Sequence, residues 1–237
     1  MRIGRRLAWS GLGAGAIYWL ARYLRPKHST LVLNEKVVLV TGASSGIGRS
    51  LAYSFARRGA RLVRVARRED RLEAVRREIE PYTSDVLVLP ADITDERQLR
   101  EVVQRTVDAF GRIDVLVNDA GISQAGQLQD LDPERIERLL RLNLWSVIRL
   151  TQLVLPYMLQ QSSGYIMNIG SGGGRVAMPL FAPYVATKYG VSGFTDALRR
   201  EIAGTGIHLT LVQPCFTNTD MLNTQVLGLL ERYGYRV

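Results

Sequence analysis

Six short apolar runs recur along the chain at Val37–Thr41, Leu62–Ala66, Val86–Leu89, Ile113–Asn118, Tyr165–Ile169 and Leu209–Val212. Each is rich in Val, Ile and Leu and bounded by turn-forming residues, as strands buried on both faces are. Between them, Ile47–Arg58, Glu69–Ile79, Asp95–Phe110, Pro133–Gln160 and Tyr184–Ala203 place apolar residues at helical spacing. Such strict alternation predicts an α/β domain: a doubly wound parallel sheet of six strands with helices on both faces. Asp132-Pro133 marks a helix start, with the carboxylate as N-cap and the proline in the first turn.

A length of 237 residues suits one such core and would cramp two. The single cysteine excludes an intramolecular disulfide and a cysteine-rich zinc site, and two histidines, His28 and His208, leave little for a histidine-based metal site or a Ser-His-Asp hydrolase. The net charge of +9 suggests nucleic acid until it is divided along the chain. Arg2, Arg5, Arg6, Arg22, Arg25 and Lys27 stand in residues 1–34 without one acid, leaving 25 bases against 22 acids elsewhere. The domain is nearly balanced and carries no nucleic-acid motif, so neither nucleic acid nor an anionic lipid is its primary ligand.

Residues 1–34 form a separate basic and apolar arm. Fifteen uncharged residues lie between Arg6 and Arg22; as a helix they rise about 22 Å, short of the roughly 30 Å hydrocarbon core. Tyr23, Leu24 and a snorkelling Arg22 extend the span to a marginal one, and Trp9, Tyr18, Trp19 and Tyr23 are spaced as interfacial anchors. A single membrane anchor or interfacial helix on an otherwise cytoplasmic protein is the favoured reading. A cleaved signal peptide and a helix packed on protein are the alternatives.

The first strand runs into Thr41-Gly42-Ala43-Ser44-Ser45-Gly46-Ile47-Gly48 and then a helix. Glycines there permit a tight turn and close approach of a pyrophosphate, and the helix start offers free amides and the positive end of its dipole. The spacing resembles the T-G-x-x-x-G-x-G loop of the short-chain dehydrogenase/reductase family, a Rossmann-type fold, and the likeness extends over roughly residues 35–220. Asn118-Asp119-Ala120-Gly121 is similar to the family's N-N-A-G, with aspartate for the second asparagine. Pro214-Cys215-Phe216-Thr217-Asn218-Thr219 is similar to P-G-x-x-x-T, with cysteine for glycine.

The resemblance implies a nicotinamide dinucleotide held by Gly42, Ser44, Ser45, Gly46, Ile47 and Gly48, with Asp92 and Ile93 at the adenine. It places Asn118, Ala120, Gly121, Tyr184 and Lys188 along the rest of the cofactor, and Pro214, Thr217 and Thr219 by the nicotinamide. Where NAD-binding relatives carry an aspartate after the second strand, this chain has Ala66-Arg67-Arg68. A carboxylate there would repel a 2′-phosphate, whereas a guanidinium matches it, so the expected cofactor is NADP.

Tyr184 and Lys188 are four apart on one helix face, Ser171 lies thirteen residues upstream, and Asn143 falls within the Pro133–Gln160 stretch. In the family these four types form the active site. Tyrosine, with a pKa near 10, is a poor acid or base at neutral pH, and Lys188 together with the positive oxidised nicotinamide is expected to pull it downward. The resemblance gives Ser171 the carbonyl oxygen, Lys188 the nicotinamide ribose and Asn143 a water for proton relay.

The function expected is interconversion of an alcohol with a ketone or aldehyde. A non-catalytic NADP(H)-binding regulator on the same fold is the alternative, and would predict loss of Tyr184, Lys188 or Ser171. Leu128, Leu131, Met178, Pro179, Leu180, Phe181, Met221 and Leu222 suggest an apolar pocket and a lipophilic small-molecule partner. A membrane surface contacted through residues 1–28 is a second expected partner, and a homodimer stays open. The eighteen residues 220–237 are expected to form one helix over the substrate mouth, too few for a crossover and a seventh strand, so the family pattern ends short.

Overall fold

The computed structural model describes residues 31–215 together with Thr217, Thr219 and Met221. The N-terminal apolar run, and the helix expected over 220–237, lie outside the described residues apart from Met221.

Six strands, β1 (Val37–Thr41), β2 (Arg61–Ala66), β3 (Val86–Pro90), β4 (Val115–Asn118), β5 (Gly164–Ile169) and β6 (Ile207–Val212), pair in parallel in the order β3-β2-β1-β4-β5-β6. Helices α1 (Gly46–Ala56), α2 (Glu69–Ile79), α3 (Glu96–Phe110), α4 (Pro133–Leu140), α5 (Ser146–Gln160) and α6 (Ala182–Glu201) alternate with them. Strand order reverses between β1 and β4, and in such sheets ligands bind in the crevice beyond the carboxyl ends at that point.

Burial on both faces holds for β1 and β4, every residue of which is buried. It fails at the edges. Strand β6 buries Ile207 and Leu209 but exposes His208 and Thr210, and β3 buries fully only Leu89, because an edge strand has one neighbour and less helix cover. The exposed His208 ring stacks on Tyr165 of β5, with centroids 4.9 Å apart.

Local chemistry sets the boundaries. Asp95 caps α3 by accepting from the Gln98 amide at 2.8 Å, and Gly111, at φ 71°, ends it. Asp132 does the same for α4 through the Glu134 amide at 3.0 Å. Strand β4 starts two residues later than its apolar run because Asp114 is a polar clamp. Its carboxylate accepts from the Val37 amide at 3.0 Å, Lys36 Nζ at 3.1 Å and Arg112 Nη2 at 2.6 Å. Burial pushes the Asp114 carboxyl up, but the bonds from Arg112, Val37 and Lys36 outweigh it and hold the group below its ordinary value. The clamp therefore stabilises the fold at neutral pH and is lost as pH falls through that depressed value.

The stretch from Pro133 to Gln160 is not one regular helix. A π-helical segment, Arg141–Trp145, joins α4 to α5 and carries Asn143.

Candidate active site

The turn after β1 is built so that only glycine fits. Gly42, at φ 71°, would put a Cβ 2.9 Å from Ala120 Cα, and one at Gly48 would lie 2.6 Å from both Gly42 O and Asp119 Oδ2. The Thr41 hydroxyl fastens this turn to the end of β4, accepting from the amides of Asp119 at 3.1 Å and Ala120 at 3.2 Å. Helix α1 then begins at Gly46 with no side-chain cap on Ser45 and no acid in its first turn. A cradle kept free of Cβ atoms at an uncapped helix start fits a pyrophosphate. Ser44 is buried, while Ser45 and Ile47 are half-buried beside it.

At the next strand end, Arg67 and Arg68 are exposed and Ala66 is half-buried. The Ala91 amide donates to Ala66 O at 3.0 Å, which brings the loop after β3 alongside. There Ile93 is buried, and Asp92 Oδ1 accepts from the Thr94 amide at 3.0 Å and the Thr94 hydroxyl at 2.7 Å. Beneath them lies a residue that pattern reading passed over. Arg64 of β2 is fully buried, donating to Ala43 O at 2.7 Å and Leu72 O at 2.8 Å, with Nε lacking a hydrogen-bond partner. Burial lowers its pKa to about 10, partly opposed by Glu78 and Glu73. The available signal was an arginine inside an otherwise apolar run.

The end of β4 divides its duties. Asn118 turns its side chain into the core, donating to Asn168 Oδ1 at 2.8 Å and Thr151 Oγ1 at 3.2 Å, while Asn168 donates to Thr195 at 2.9 Å. Ala120 and Gly121 stay half-buried at the crevice. A Cβ on Gly121 would lie 3.3 Å from Asn143 Oδ1 and 3.8 Å from Lys188 Nζ, so the structure brings those two side chains together there. Asn143 is spent on backbone: it accepts from the Ile122 amide at 2.9 Å and donates to Ile122 O at 2.8 Å.

Tyr184 and Lys188 project from α6, with Lys188 Nζ 5.7 Å from the Tyr184 ring centroid. Ser171, just past the end of β5, accepts from the Gly173 amide at 3.1 Å, and a Cβ on Gly173 would lie 3.5 Å from its Oγ and 3.6 Å from Cε1 of the Tyr184 ring, so hydroxyl and phenol ring flank the same spot. The protein's own groups set the phenol upward, and Lys188 is not among the groups that pull it down. Burial pushes Tyr184 above its ordinary value, and Ser171 opposes this only in part. Lys188 is otherwise engaged: its ammonium donates to Ile169 O at 3.0 Å and faces the Asp119 carboxylate. Burial takes Lys188 down to about 8 against Asp119, and takes Asp119 up to about 6 against Lys188 and the Gly48 amide.

The loop after β6 reaches the same cradle. Pro214 O accepts from the Gly172 amide at 2.8 Å, the Thr217 hydroxyl donates to Cys215 O at 3.0 Å, and Thr219 packs where a Cβ on Gly46 would be 3.3 Å from its methyl. Phe216 and Asn218 lie outside the described residues. Of the expected apolar lining, Phe181 is buried against Tyr184 with ring centroids 6.3 Å apart, Met178 and Leu180 pack at its margin, and Leu128 is 61% exposed. Leu131 and Met221 are described nearby, and the Ser123 hydroxyl donates to Met221 O at 3.4 Å. Leu222 lies outside the described residues.

The family profile for short chain dehydrogenase matches residues 36–228. The chain belongs to the short-chain dehydrogenase family. This dehydrogenase is 35% identical over 225 residues to dehydrogenase/reductase SDR family protein 7-like of Anopheles gambiae, covering 93% of this chain and 71% of that protein. It is 38% identical to a 3-oxoacyl-[acyl-carrier-protein] reductase of Thermotoga maritima, over 80% of this chain and 77% of the relative.

Among solved structures it resembles a 3-ketoacyl-(acyl-carrier-protein) reductase from Brucella melitensis complexed with NADH. That likeness has a TM-score of 0.76 and 33% identity, over 80% of this chain and 79% of the other. A metagenomic short-chain oxidoreductase in complex with NADP gives a TM-score of 0.75 and 32% identity, over 78% and 84% of the respective chains. The dehydrogenase is thus a Rossmann-type oxidoreductase that uses a nicotinamide cofactor on small molecules, at CH–OH and C=O groups.

Proposed function

We propose that this dehydrogenase uses NADP to interconvert a lipophilic alcohol with its ketone or aldehyde, with Tyr184 moving the proton. The observation that carries the reading is that Ser171 Oγ and the Tyr184 ring flank Gly173, with Lys188 Nζ 5.7 Å from the ring centroid. When bound, the nicotinamide supplies or accepts the hydride. The residues that would hold the cofactor are those of the glycine turn at the pyrophosphate, Asp92 and Ile93 at the adenine, Ala120 and Gly121 behind the ribose, and Pro214, Thr217 and Thr219 at the far end.

Ser171 fixes the substrate oxygen beside the phenol, and Tyr184 donates its proton to that oxygen as negative charge develops there. Burial keeps Tyr184 protonated at neutral pH, which suits donation during reduction. Lys188 supplies a positive charge 5.7 Å from the ring centroid, and Asn143 keeps Gly121 and Ile122 in place.

The preference for NADP is supported by Ala66 and by the charges of Arg67 and Arg68, neither of which forms an ion pair among the described residues. Replacing Ala66 with Asp and Arg67 with Ser is expected to move the NADP-to-NAD affinity ratio at least about tenfold toward NAD, the scale of one charge-assisted bond. Titration of the unaltered protein with both cofactors checks the premise: equal affinities would remove it.

A lipophilic substrate is supported by Met178 and Leu180, packed against the cluster that holds Tyr184. Another relative, 39% identical over 199 residues, is an 11-beta-hydroxysteroid dehydrogenase A of Sesamum indicum, of which this chain covers 57%. Among the described residues no helix is long and apolar enough to cross a membrane. Membrane association through residues 1–28 is supported by the basic, aromatic-flanked apolar run alone. Deleting residues 1–28 is expected to move the protein from the membrane pellet to the supernatant with activity retained; an unchanged distribution in fractionated cells would count against it.

A further inference from the structure

Asp119 stands where the family motif has a neutral asparagine, and its surroundings make that difference matter. Its Oδ2 lies so close to the turn that a Cβ on Gly48 would be 2.6 Å away and one on Gly42 3.1 Å away. Its own amide is held by the Thr41 hydroxyl at 3.1 Å, so the residue is fixed against the turn. An asparagine would place a neutral oxygen at the same spot. What aspartate adds is negative charge inside a cradle shaped for a pyrophosphate, where like charges repel strongly because solvent is partly excluded.

The groups facing Asp119 leave one compensating charge. The turn after β1 presents the Thr41 hydroxyl and the backbone of Gly42 and Gly48, all neutral. Beyond Asp119, β4 continues into Ala120 and Gly121, and the π segment offers the neutral amide of Asn143 at Gly121. Helix α6 contributes Lys188, whose charge acts on Asp119 and is acted on in return.

We propose that Asp119 is a proton-coupled positioning residue: its carboxyl takes up a proton when the dinucleotide binds, so the cradle holds the cofactor less tightly as Asp119 ionises. The sign follows from linkage. Bringing a polyanion to the cradle makes the charged form of Asp119 more costly, so the complex binds more protons than the free protein. Affinity must then fall as pH rises. Burial sets Asp119 at about 6, which places this fall just below neutrality, while Lys188 at about 8 places a second fall above it. In the free protein near pH 7 the Asp119 and Lys188 charges offset one another; in the complex Lys188 is left to the cofactor. This inference rests on the dinucleotide reading of the cradle and does not depend on whether NADP or NAD is preferred.

The test is calorimetric titration of the full chain and of Asp119→Asn with NADP⁺ between pH 5.5 and 7.5, in buffers of differing ionisation enthalpy. Comparing the two proteins cancels the ionisation of the cofactor's own phosphate. The affinity of the unaltered protein is expected to fall at least about fivefold more across that range than that of the variant. Near pH 6.5 it should take up more protons on binding, and near pH 7.5 the variant should bind more tightly. Parallel profiles with equal proton uptake would overturn the role of Asp119 and leave the dinucleotide site standing. No saturable binding of NADP⁺ or NAD⁺ by the unaltered protein would overturn both. Should Asp119→Asn fail to fold, Asp119→Ser, smaller and equally neutral, makes the same comparison.

Discussion

Tyr184→Phe is expected to lower turnover at least about a hundredfold while leaving cofactor binding within a few fold, the pattern of a lost general acid. The substitution removes one oxygen and nothing that packs. The ring keeps its edge contact with Phe181 and its place beside Val185 and Leu139, so folding should be nearly unaffected. What goes is the proton that burial holds on the phenol. Steady-state kinetics with a panel of carbonyl compounds, together with a cofactor titration, would check this. Near-normal turnover would mean that another group delivers the proton. In alcohol oxidation the same phenol must first ionise, so the raised pKa predicts that the rate of the unaltered protein climbs as pH rises above neutrality.

Gly48→Ala should be almost as damaging, by a different route. The added methyl would sit 2.6 Å from Gly42 O and 2.6 Å from Asp119 Oδ2. Neither neighbour can give way cheaply. Gly42, in a left-handed conformation, is itself so close to Ala120 that a Cβ on it would lie 2.9 Å from the Ala120 backbone, and Asp119 is tied through Thr41. Relief requires the turn to move, at a cost of about 1–3 kcal/mol in stability. Cofactor affinity is expected to drop at least about a hundredfold, equivalent to about 2.7 kcal/mol. Fluorescence titration with NADPH reads the affinity and thermal unfolding reads the stability; affinity within threefold of the parent would show that the turn relaxes after all.

The order of strands and helices was legible because it rests on local periodicity, and errors appear where tertiary contacts override that period. Ile113 looks like the first residue of a strand, yet the demands of Lys36, Val37 and Arg112 on Asp114 delay β4 by two positions. Pro133–Gln160 reads as one amphipathic helix, and nothing in its spacing reveals the π segment. For the site, the glycine turn and the Ser171, Tyr184, Lys188 set were legible through their resemblance to the family's motifs, since the spacing of each alone is a weak signal. Their electrostatics were not. The burial that raises Tyr184 and lowers Lys188 is contributed by residues far away in the chain. So is the surrounding of Arg64, whose carbonyl partners come from the glycine turn and from α2. Asp119 was visible as a departure from the motif, but its pairing with Lys188 emerges only when β4 and α6 are brought side by side.

The π segment has a consequence for how the molecule tolerates insertion and deletion. Arg141–Trp145 holds one residue more than regular α-helical turns would need, so the phase of the helix slips there. Leu139, before the slip, faces the small cluster around Phe181 and Tyr184, whereas Leu150, Val154 and Met158, after it, face the main sheet. Deleting a single residue within 141–145 would leave a continuous helix whose halves could no longer both face inward, each residue of phase being worth about 100° of rotation. The slip thus works as a splice between two independently aimed surfaces. Changes that reshape the wall beside Tyr184 need not propagate into the packing that covers the sheet, and length is the one property of this segment that cannot drift.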